Sequence, residues 1–165
     1  MKTYNILFLC THNSARSILA EAVASTQTGG RLIGFSAGST PQSVSGRPVH
    51  PIARDLAIEL GYPAENLRSK SWDEFALPDA PQMDVIITVC DNAAGEVCPV
   101  WIGKPVTAHW GFPDPSHVSG SDTDKIKAFR DVMNGMKARI QTLASLPLDE
   151  WDQASIQANI NALAP

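Results

Sequence analysis

The stretch that most constrains the fold is residues 10–17, which read Cys-Thr-His-Asn-Ser-Ala-Arg-Ser and separate an apolar run from a helical pattern. The run, residues 4–9, is short and bounded by polar residues, as is typical of a buried parallel strand. After the stretch, Ile18, Leu19, Ala22 and Val23 recur at the spacing of one helix face. A strand, a tight loop and a helix in this order predict the first unit of an α/β fold.

Further apolar runs and helical patterns alternate along the rest of the chain. The predicted strands are residues 5–9, 32–36, 84–90 and 105–109. Later helices are predicted to begin at Pro48, after Ser121-Asp122, and at Asp149. Such alternation predicts an α/β fold, a parallel sheet flanked by helices on both faces. We expect one domain over residues 1–165, with a C-terminal helix of about 149–163 packed on it.

The loop from Cys10 to Arg16 has the chemistry of a cradle for a tetrahedral oxyanion. Inward amides and an adjacent helix start would donate to the anion, and the Arg16 fork would hold two of its oxygens. The same donors favour a thiolate at Cys10, with Ser17 able to donate to the sulfur. A lone cysteine at a strand end is often only a small buried hydrophobe, but this context favours a nucleophile. The residues predicted to line the cradle are Thr11, His12, Asn13, Ser14, Ala15 and Arg16.

Two more cysteines follow the third predicted strand. Parallel strands end at one shared edge of a sheet, so Cys90 is expected at the same edge as Cys10. Cys98 follows after a small, polar segment and could approach Cys90. The alternatives are that Cys90 is core and Cys98 incidental, or that the thiols bind zinc, although no Cys-x-x-Cys pair is present. Three thiols in a reducing compartment favour a redox relay.

An aspartate follows the fourth predicted strand at the same edge. Asp114 lies between Pro113 and Pro115, which both restrict the backbone. A carboxyl group held over an oxyanion can protonate a leaving oxygen, so Asp114 is the candidate general acid. The alternative is a turn aspartate, which is common before proline. His109 and Trp110 are interpreted as packing residues.

Composition excludes several classes of partner. A net charge of −4 and a pI near 5.5 argue against nucleic acid as a ligand. The chain contains neither a long apolar stretch nor a secretory leader, which predicts a cytoplasmic protein without membrane contact. We further expect a monomer that needs no bound cofactor, only an external thiol reductant.

The cradle, the Asp-Pro loop and the strand order resemble the low-molecular-weight protein tyrosine phosphatase superfamily. The two further cysteines, with Thr-His-Asn-Ser-Ala-Arg-Ser and His-Trp-Gly-Phe, resemble its arsenate reductase branch. The resemblance extends from Asn5 to a helix ending near Leu143 and implies a four-stranded parallel sheet of order 2-1-3-4. The roles that it implies are Cys10 as nucleophile, Arg16 as clamp, Ser17 as thiolate partner, Asp114 as general acid, Asn13 as support of the strained cradle backbone, and Cys90 and Cys98 as relay thiols.

The implied activity is reduction of arsenate, for which phosphate or sulfate are analogues, to arsenite. Thioredoxin or glutaredoxin would then reduce the relay disulfide. One alternative is a phosphatase of the same fold, although Ser116 and His117 replace the aromatic wall that phosphotyrosine would need. Another is a non-catalytic oxyanion or arsenite sensor that uses the thiols as soft ligands.

The resemblance also implies a place for a potassium ion. In some relatives, residues that match Asn13, Glu21 and Ser36 hold the ion together with a further acidic ligand. The segment 61–67 does not align with that fourth ligand.

Overall fold

The centre of the molecule is a four-stranded parallel sheet. The computed structural model describes residues 2–42, 46, 48–91 and 101–165. The strands are β1 (Tyr4–Cys10), β2 (Leu32–Gly38), β3 (Val85–Thr88) and β4 (Val106–His109). They pair in the order β2-β1-β3-β4, every neighbouring pair parallel. The predicted α/β class and strand order 2-1-3-4 are therefore confirmed.

The main helices in the described ranges are α1 (Arg16–Thr26), α2 (Pro51–Glu59), α3 (Asp122–Ser145) and α4 (Gln153–Ala162). Short 3₁₀ helices cover Ala64–Asn66, Trp72–Ala76 and Pro115–His117. Within the part of the chain that the structure describes, no helix is long and apolar enough to span a membrane.

Capping residues place the starts of two helices later in the chain than the sequence predicts. Helix α2 begins at Pro51 rather than Pro48, because His50 Nδ1 accepts a hydrogen bond from Ile52 N at 3.2 Å. Helix α4 begins at Gln153 rather than at 149, because Asp152 accepts from Ser155 N at 2.8 Å. A side-chain oxygen or nitrogen that accepts from a free amide of the first turn defines where a helix starts.

Different elements pack against the two faces of the sheet. On one face, alternate residues such as Ile6 and Phe8 join a core cluster that also contains buried residues of all four main helices. On the other, Leu7 and Leu9 pack with Trp72 of a 3₁₀ helix. The period-two alternation along β1 explains this division, since successive side chains of a strand point to opposite faces.

The carboxyl ends of the strands form one edge, as expected. The predicted third strand is shorter than 84–90, and β3 ends at Thr88. Val89 still donates its amide to Leu9 O at 2.8 Å and accepts from Phe112 N at 3.1 Å. These bonds bring three chain segments together beyond the strand ends, next to the start of α1.

Candidate active site

The backbone between β1 and α1 forms the predicted cradle, which we define as residues 11–16. Its carbonyls are held from outside: Thr11 O accepts from Thr40 N, Ser14 O from His50 N, and His12 O from Ser69 Oγ, all at 2.8–2.9 Å. The C=O and N–H of a trans peptide unit point in opposite directions. The amides of His12, Asn13 and Ala15 therefore point away from these three donors, the orientation that an oxyanion site in the loop needs.

Arg16 links the cradle to the loop after β4. Its Nη1 donates to Phe112 O at 3.0 Å, and its Nη2 lies 3.4 Å from Asp114 Oδ2. The guanidinium is 16% exposed and the carboxylate 23%. The structure thus brings Arg16 and Asp114 together at the cradle, the arrangement expected of a clamp and an acid.

Asp114 is surrounded by donors. Partial burial acts to raise the pKa of its carboxyl, but bonds from Ser116 Oγ and Ser116 N, with the charges of Arg16 and His117, outweigh it and hold the pKa below its usual value. The Ser116 bonds measure 2.6 Å and 2.9 Å. At neutral pH Asp114 is therefore an ionised partner of Arg16, and a negative charge placed beside it would raise its pKa.

Cys10 and Cys90 belong to one core cluster at the floor of the cradle, and both side chains are buried. The amide of Thr11, the residue after Cys10, donates to Cys90 Sγ at 3.3 Å. The Cys90 thiol, and then burial, raise the pKa of Cys10, against the effects of Arg16 and the Thr11 amide. The expectation that the cradle donors favour a Cys10 thiolate is corrected for this arrangement, because the second thiol and the burial dominate.

Ser17 and Asn13 form a buried polar connection behind the cradle. Asn13 has a positive φ of 50°, which supports its implied role in a strained turn. Its Nδ2 donates to Ser17 Oγ at 2.8 Å and to Ser36 Oγ at 2.9 Å. Among the described contacts, Ser17 has no bond to Cys10, contrary to expectation. Since Asn13 supplies the donor in its bond with Ser17, the serine proton stays available for another acceptor.

The residues at the expected potassium position do not fit a metal ion. Lys70 Nζ lies 3.5 Å from Glu21 Oε1, 3.4 Å from Ser36 Oγ and 3.0 Å from Arg68 O. Burial lowers the pKa of Lys70, while the Glu21 carboxylate acts in the opposite direction. An ammonium among these oxygens takes the place of a cation, so we withdraw potassium near Asn13, Glu21 and Ser36.

The sequence favours packing roles for His109 and Trp110, and the structure agrees for Trp110 only. Trp110 is a packing residue, fully buried with Nε1 donating to Ile160 O at 2.9 Å. His109 is not: it lies 39% exposed between Thr88 Oγ1 at 2.7 Å and Asp91 Oδ1 at 2.9 Å. The end of β4 turns its ring outward, and Asp91 supplies a polar partner. Cys98 lies outside the described residues, and its relay role stays a prediction.

Sequence reasoning missed the segment 68–71, which supports the cradle from below. Gly38 N donates to Lys70 O, Lys70 N to Asn13 Oδ1, and Ser69 Oγ to His12 O, at 2.9, 3.0 and 2.9 Å. The only available signal was a polar Arg-Ser-Lys-Ser run without glycine or proline. Nothing in such a run indicates that its lysine is buried.

Relatives with similar sequences are named arsenate reductases. One from Halalkalibacterium halodurans is 34% identical over 139 residues, covering 84% of this chain and 94% of that protein. A glutaredoxin arsenate reductase from Synechocystis is 28% identical over 138 residues, covering 84% of this chain and 94% of that protein.

A solved structure has a fold similar to that of this chain. It is described as an arsenate reductase in the phosphate binding state, with a TM-score of 0.65 and 26% identity, and it aligns with 87% of this chain and 98% of its own. The family model for low molecular weight phosphotyrosine protein phosphatase matches residues 5–160, nearly the whole chain. With its cradle, Arg16 and Asp114 in the arrangement described above, this chain belongs to the low molecular weight phosphotyrosine protein phosphatase family.

Proposed function

We propose that this protein reduces arsenate to arsenite through a nucleophilic cysteine and an intramolecular thiol relay. The observation that carries the proposal is the pair of buried thiols, Cys10 and Cys90, at the floor of an oxyanion cradle, with Cys90 Sγ accepting from the amide of Thr11, the residue after Cys10. Hydrolysis of a phosphate ester needs one such thiol. A second thiol in contact with the first gives the chemistry for a two-electron reduction.

The first step is formation of a covalent adduct. Arsenate binds to the cradle amides and Arg16, and the dianion takes up the proton of the Cys10 thiol. The thiolate formed in this way attacks arsenic, and the departing hydroxide takes the proton of Asp114 and leaves as water. The dianion also has to release Arg16 from its ion pair with Asp114. Once that negative charge lies beside the carboxylate, the pKa of Asp114 rises, which supplies the proton that the step consumes.

The second step is the reduction itself. Cys90 attacks the Cys10 sulfur, a sulfur–sulfur bond forms, and the sulfur–arsenic bond breaks with its electron pair passing to arsenic. Arsenic changes from As(V) to As(III) and leaves as arsenite, while two thiols become the Cys10–Cys90 disulfide. The bond from Thr11 N to Cys90 Sγ stabilises negative charge on the attacking sulfur.

The final steps restore the thiols. Cys98 attacks Cys90, which releases the Cys10 thiolate and leaves a Cys90–Cys98 disulfide. An external dithiol protein of the thioredoxin or glutaredoxin class then takes that disulfide back to two thiols by exchange. The name of the Synechocystis relative supports a glutaredoxin-like donor as one of the two choices.

A phosphatase of the same fold is the competing proposal. Ser116, which follows the Asp114-Pro115 pair, donates to Asp114 Oδ1 through both its hydroxyl and its amide. A serine used in this way provides no aromatic wall for a phosphotyrosine ring. We therefore expect hydrolysis of aryl phosphates to be slow compared with arsenate reduction.

One assay separates these proposals. Purified protein is given arsenate with thioredoxin and its reductase, or with glutaredoxin and glutathione, and arsenite is measured. Cys90→Ser is the matched variant: reduction should stop, while any hydrolysis of an aryl phosphate should continue. Phosphotyrosine peptide turnover as fast as arsenate reduction, or arsenite formation by Cys90→Ser at the rate of the natural protein, would overturn the proposal. Binding of arsenite without turnover would favour a sensor.

A further inference from the structure

A buried ion pair lies directly behind the cradle, and the proposed chemistry does not use it. The side chains of Lys70 and Glu21 are only 6% and 4% exposed, with Nζ and Oε1 3.5 Å apart. Tyr62 OH donates to the second carboxylate oxygen, and Ser36 Oγ to the first. We call Glu21, Ser36, Tyr62 and Lys70 the internal ion cluster.

Charges at this depth require compensation. Transferring one ion from water into a protein interior costs several kcal/mol, and a buried carboxylate left without its cation is strongly unfavourable. The ammonium also donates to Arg68 O at 3.0 Å and Ser36 Oγ at 3.4 Å, so three oxygens surround it. Oxygen ligands of this kind are what a monovalent cation also prefers.

The cluster is connected to the cradle through one side chain. Lys70 N donates to Asn13 Oδ1 at 3.0 Å, and Asn13 Nδ2 donates to Ser36 Oγ at 2.9 Å. Because Ser36 gives its own proton to Glu21, its oxygen is free to accept from Asn13. These bonds orient both Oδ1 and Nδ2 of the Asn13 side chain. The Asn13 backbone has the left-handed φ of 50° within the cradle.

We propose that Lys70 is a built-in cation that positions Asn13, and through it the oxyanion cradle, in place of a bound metal ion. Lys70 Nζ contacts Glu21, Ser36 and Arg68 O behind the cradle rather than the reacting groups, so Lys70 is a positioning residue. The inference rests on the proposed function only in that the cradle binds a tetrahedral oxyanion. The thermal midpoint measured below does not depend on oxyanion binding.

The molecule also offers a route by which a free cation could replace the lysine. A solvent-open cavity of about 650 Å³ is lined by Glu21, Tyr62 and Lys70, and Glu65, Arg68 and Glu74 are among its other lining residues. Truncation of Lys70 to alanine would leave the Glu21 carboxylate facing this cavity. A potassium or ammonium ion entering from solvent could then neutralise it.

The experiment measures the dissociation constant for inorganic phosphate and the thermal midpoint, in choline, sodium, potassium and ammonium chloride at equal ionic strength. The natural protein should be indifferent to the cation. Lys70→Ala should bind phosphate roughly tenfold more weakly in choline, and potassium or ammonium should restore most of the affinity and raise the midpoint. Lys127→Ala removes an exposed lysine, 74% exposed and paired with Asp131, and should behave as the natural protein does.

A second variant covers the case in which Lys70→Ala does not fold. Glu21→Gln combined with Lys70→Met removes both charges at similar volume, and it should fold, bind phosphate less tightly and show no response to potassium. Potassium dependence of the natural protein, phosphate binding by Lys70→Ala in choline at the natural affinity, or a potassium response of the double variant would each overturn the inference. Failure of the natural protein to bind phosphate would instead count against the proposed function, and the thermal midpoints would still decide the role of Lys70.

Discussion

Arg16 Nη2 lies 3.4 Å from Asp114 Oδ2, so the proposed anion clamp and the proposed acid are paired with each other. An oxyanion that binds Arg16 has to compete with this carboxylate. The pair therefore has opposite effects on two steps: it weakens binding of the anion and provides the proton for the leaving oxygen. Substitution of Asp114 separates these effects.

We predict that Asp114→Asn binds sulfate more tightly and turns over arsenate more slowly. Loss of the competing carboxylate should improve the dissociation constant by about fivefold, the value of a partly exposed ion pair. Loss of the acid should reduce kcat by about 10²–10⁴-fold. Calorimetry and steady-state kinetics measure the two quantities. Asp79→Asn, an exposed position, is the control. An Asp114→Asn protein that binds sulfate no more tightly than the natural protein would contradict the competing-carboxylate argument.

Binding of sulfate should be coupled to uptake of a proton by Asp114. The pKa of this carboxyl lies below its usual value, so it is charged before the anion arrives. A dianion beside it raises the pKa, and the complex then holds more protons than the free protein. Affinity should therefore increase as the pH falls. His50 and His117 also lie near Asp114. The contribution of the Asp114 carboxylate is therefore measured as the difference between the natural protein and Asp114→Asn.

That difference can be measured by calorimetry near pH 5.5 in two buffers of different ionisation enthalpy, an arrangement that counts protons. Sulfate is the suitable ligand because it does not titrate in this range. The natural protein should take up more protons than Asp114→Asn. Equal uptake by both proteins would show that Asp114 keeps its charge when the anion binds.

Gly38→Ala should damage the cradle without any change in its own residues. A Cβ at Gly38 would lie 2.6 Å from Thr11 O and 2.8 Å from Cys10 O, both backbone atoms that cannot move alone. We expect phosphate affinity to fall by more than about tenfold. Gly135→Ala is the matched control. Its Cβ would make only ordinary contacts at 3.6 and 3.7 Å inside α3, so it should raise stability by about 0.5–1 kcal/mol and leave binding unchanged.

Local pattern was sufficient for the elements and for the main residues of the cradle. The apolar run before Cys10 and the helical stripe after it identify a strand, a loop and a helix whatever the rest of the chain does. Placement of Cys90 and Asp114 followed from the rule that parallel strands share one carboxyl edge. In each case the information is contained in residues close together in sequence.

The parts that sequence missed depend on contacts between distant segments. Lys70 meets Glu21 and Ser36 only after residues 68–71 pair alongside the end of β2, where Gly38 bridges Ser71. The pKa of Cys10 likewise depends on Cys90, which is distant in sequence and lies against it in the fold. Neither burial of a lysine nor contact of two thiols leaves a periodic signal along the chain.

The order in which the thiols react gives the last prediction. If Cys90 attacks the arsenic adduct, Cys90→Ser should accumulate that adduct and release no arsenite in thiol-free buffer. If Cys98 acts afterwards, Cys98→Ser should release about one arsenite per protein and stop as a Cys10–Cys90 disulfide, because Cys90 can attack Cys10 once without it. The buried contact between Cys10 and Cys90 favours formation of that bond and shields it from a protein reductant.

Peptide mapping after a single turnover should instead find a Cys90–Cys98 bond in the natural protein, which requires the two Cα atoms to come within about 7 Å. Steady turnover by Cys98→Ser with thioredoxin, at the natural rate, would remove Cys98 from the mechanism and leave a relay of two thiols.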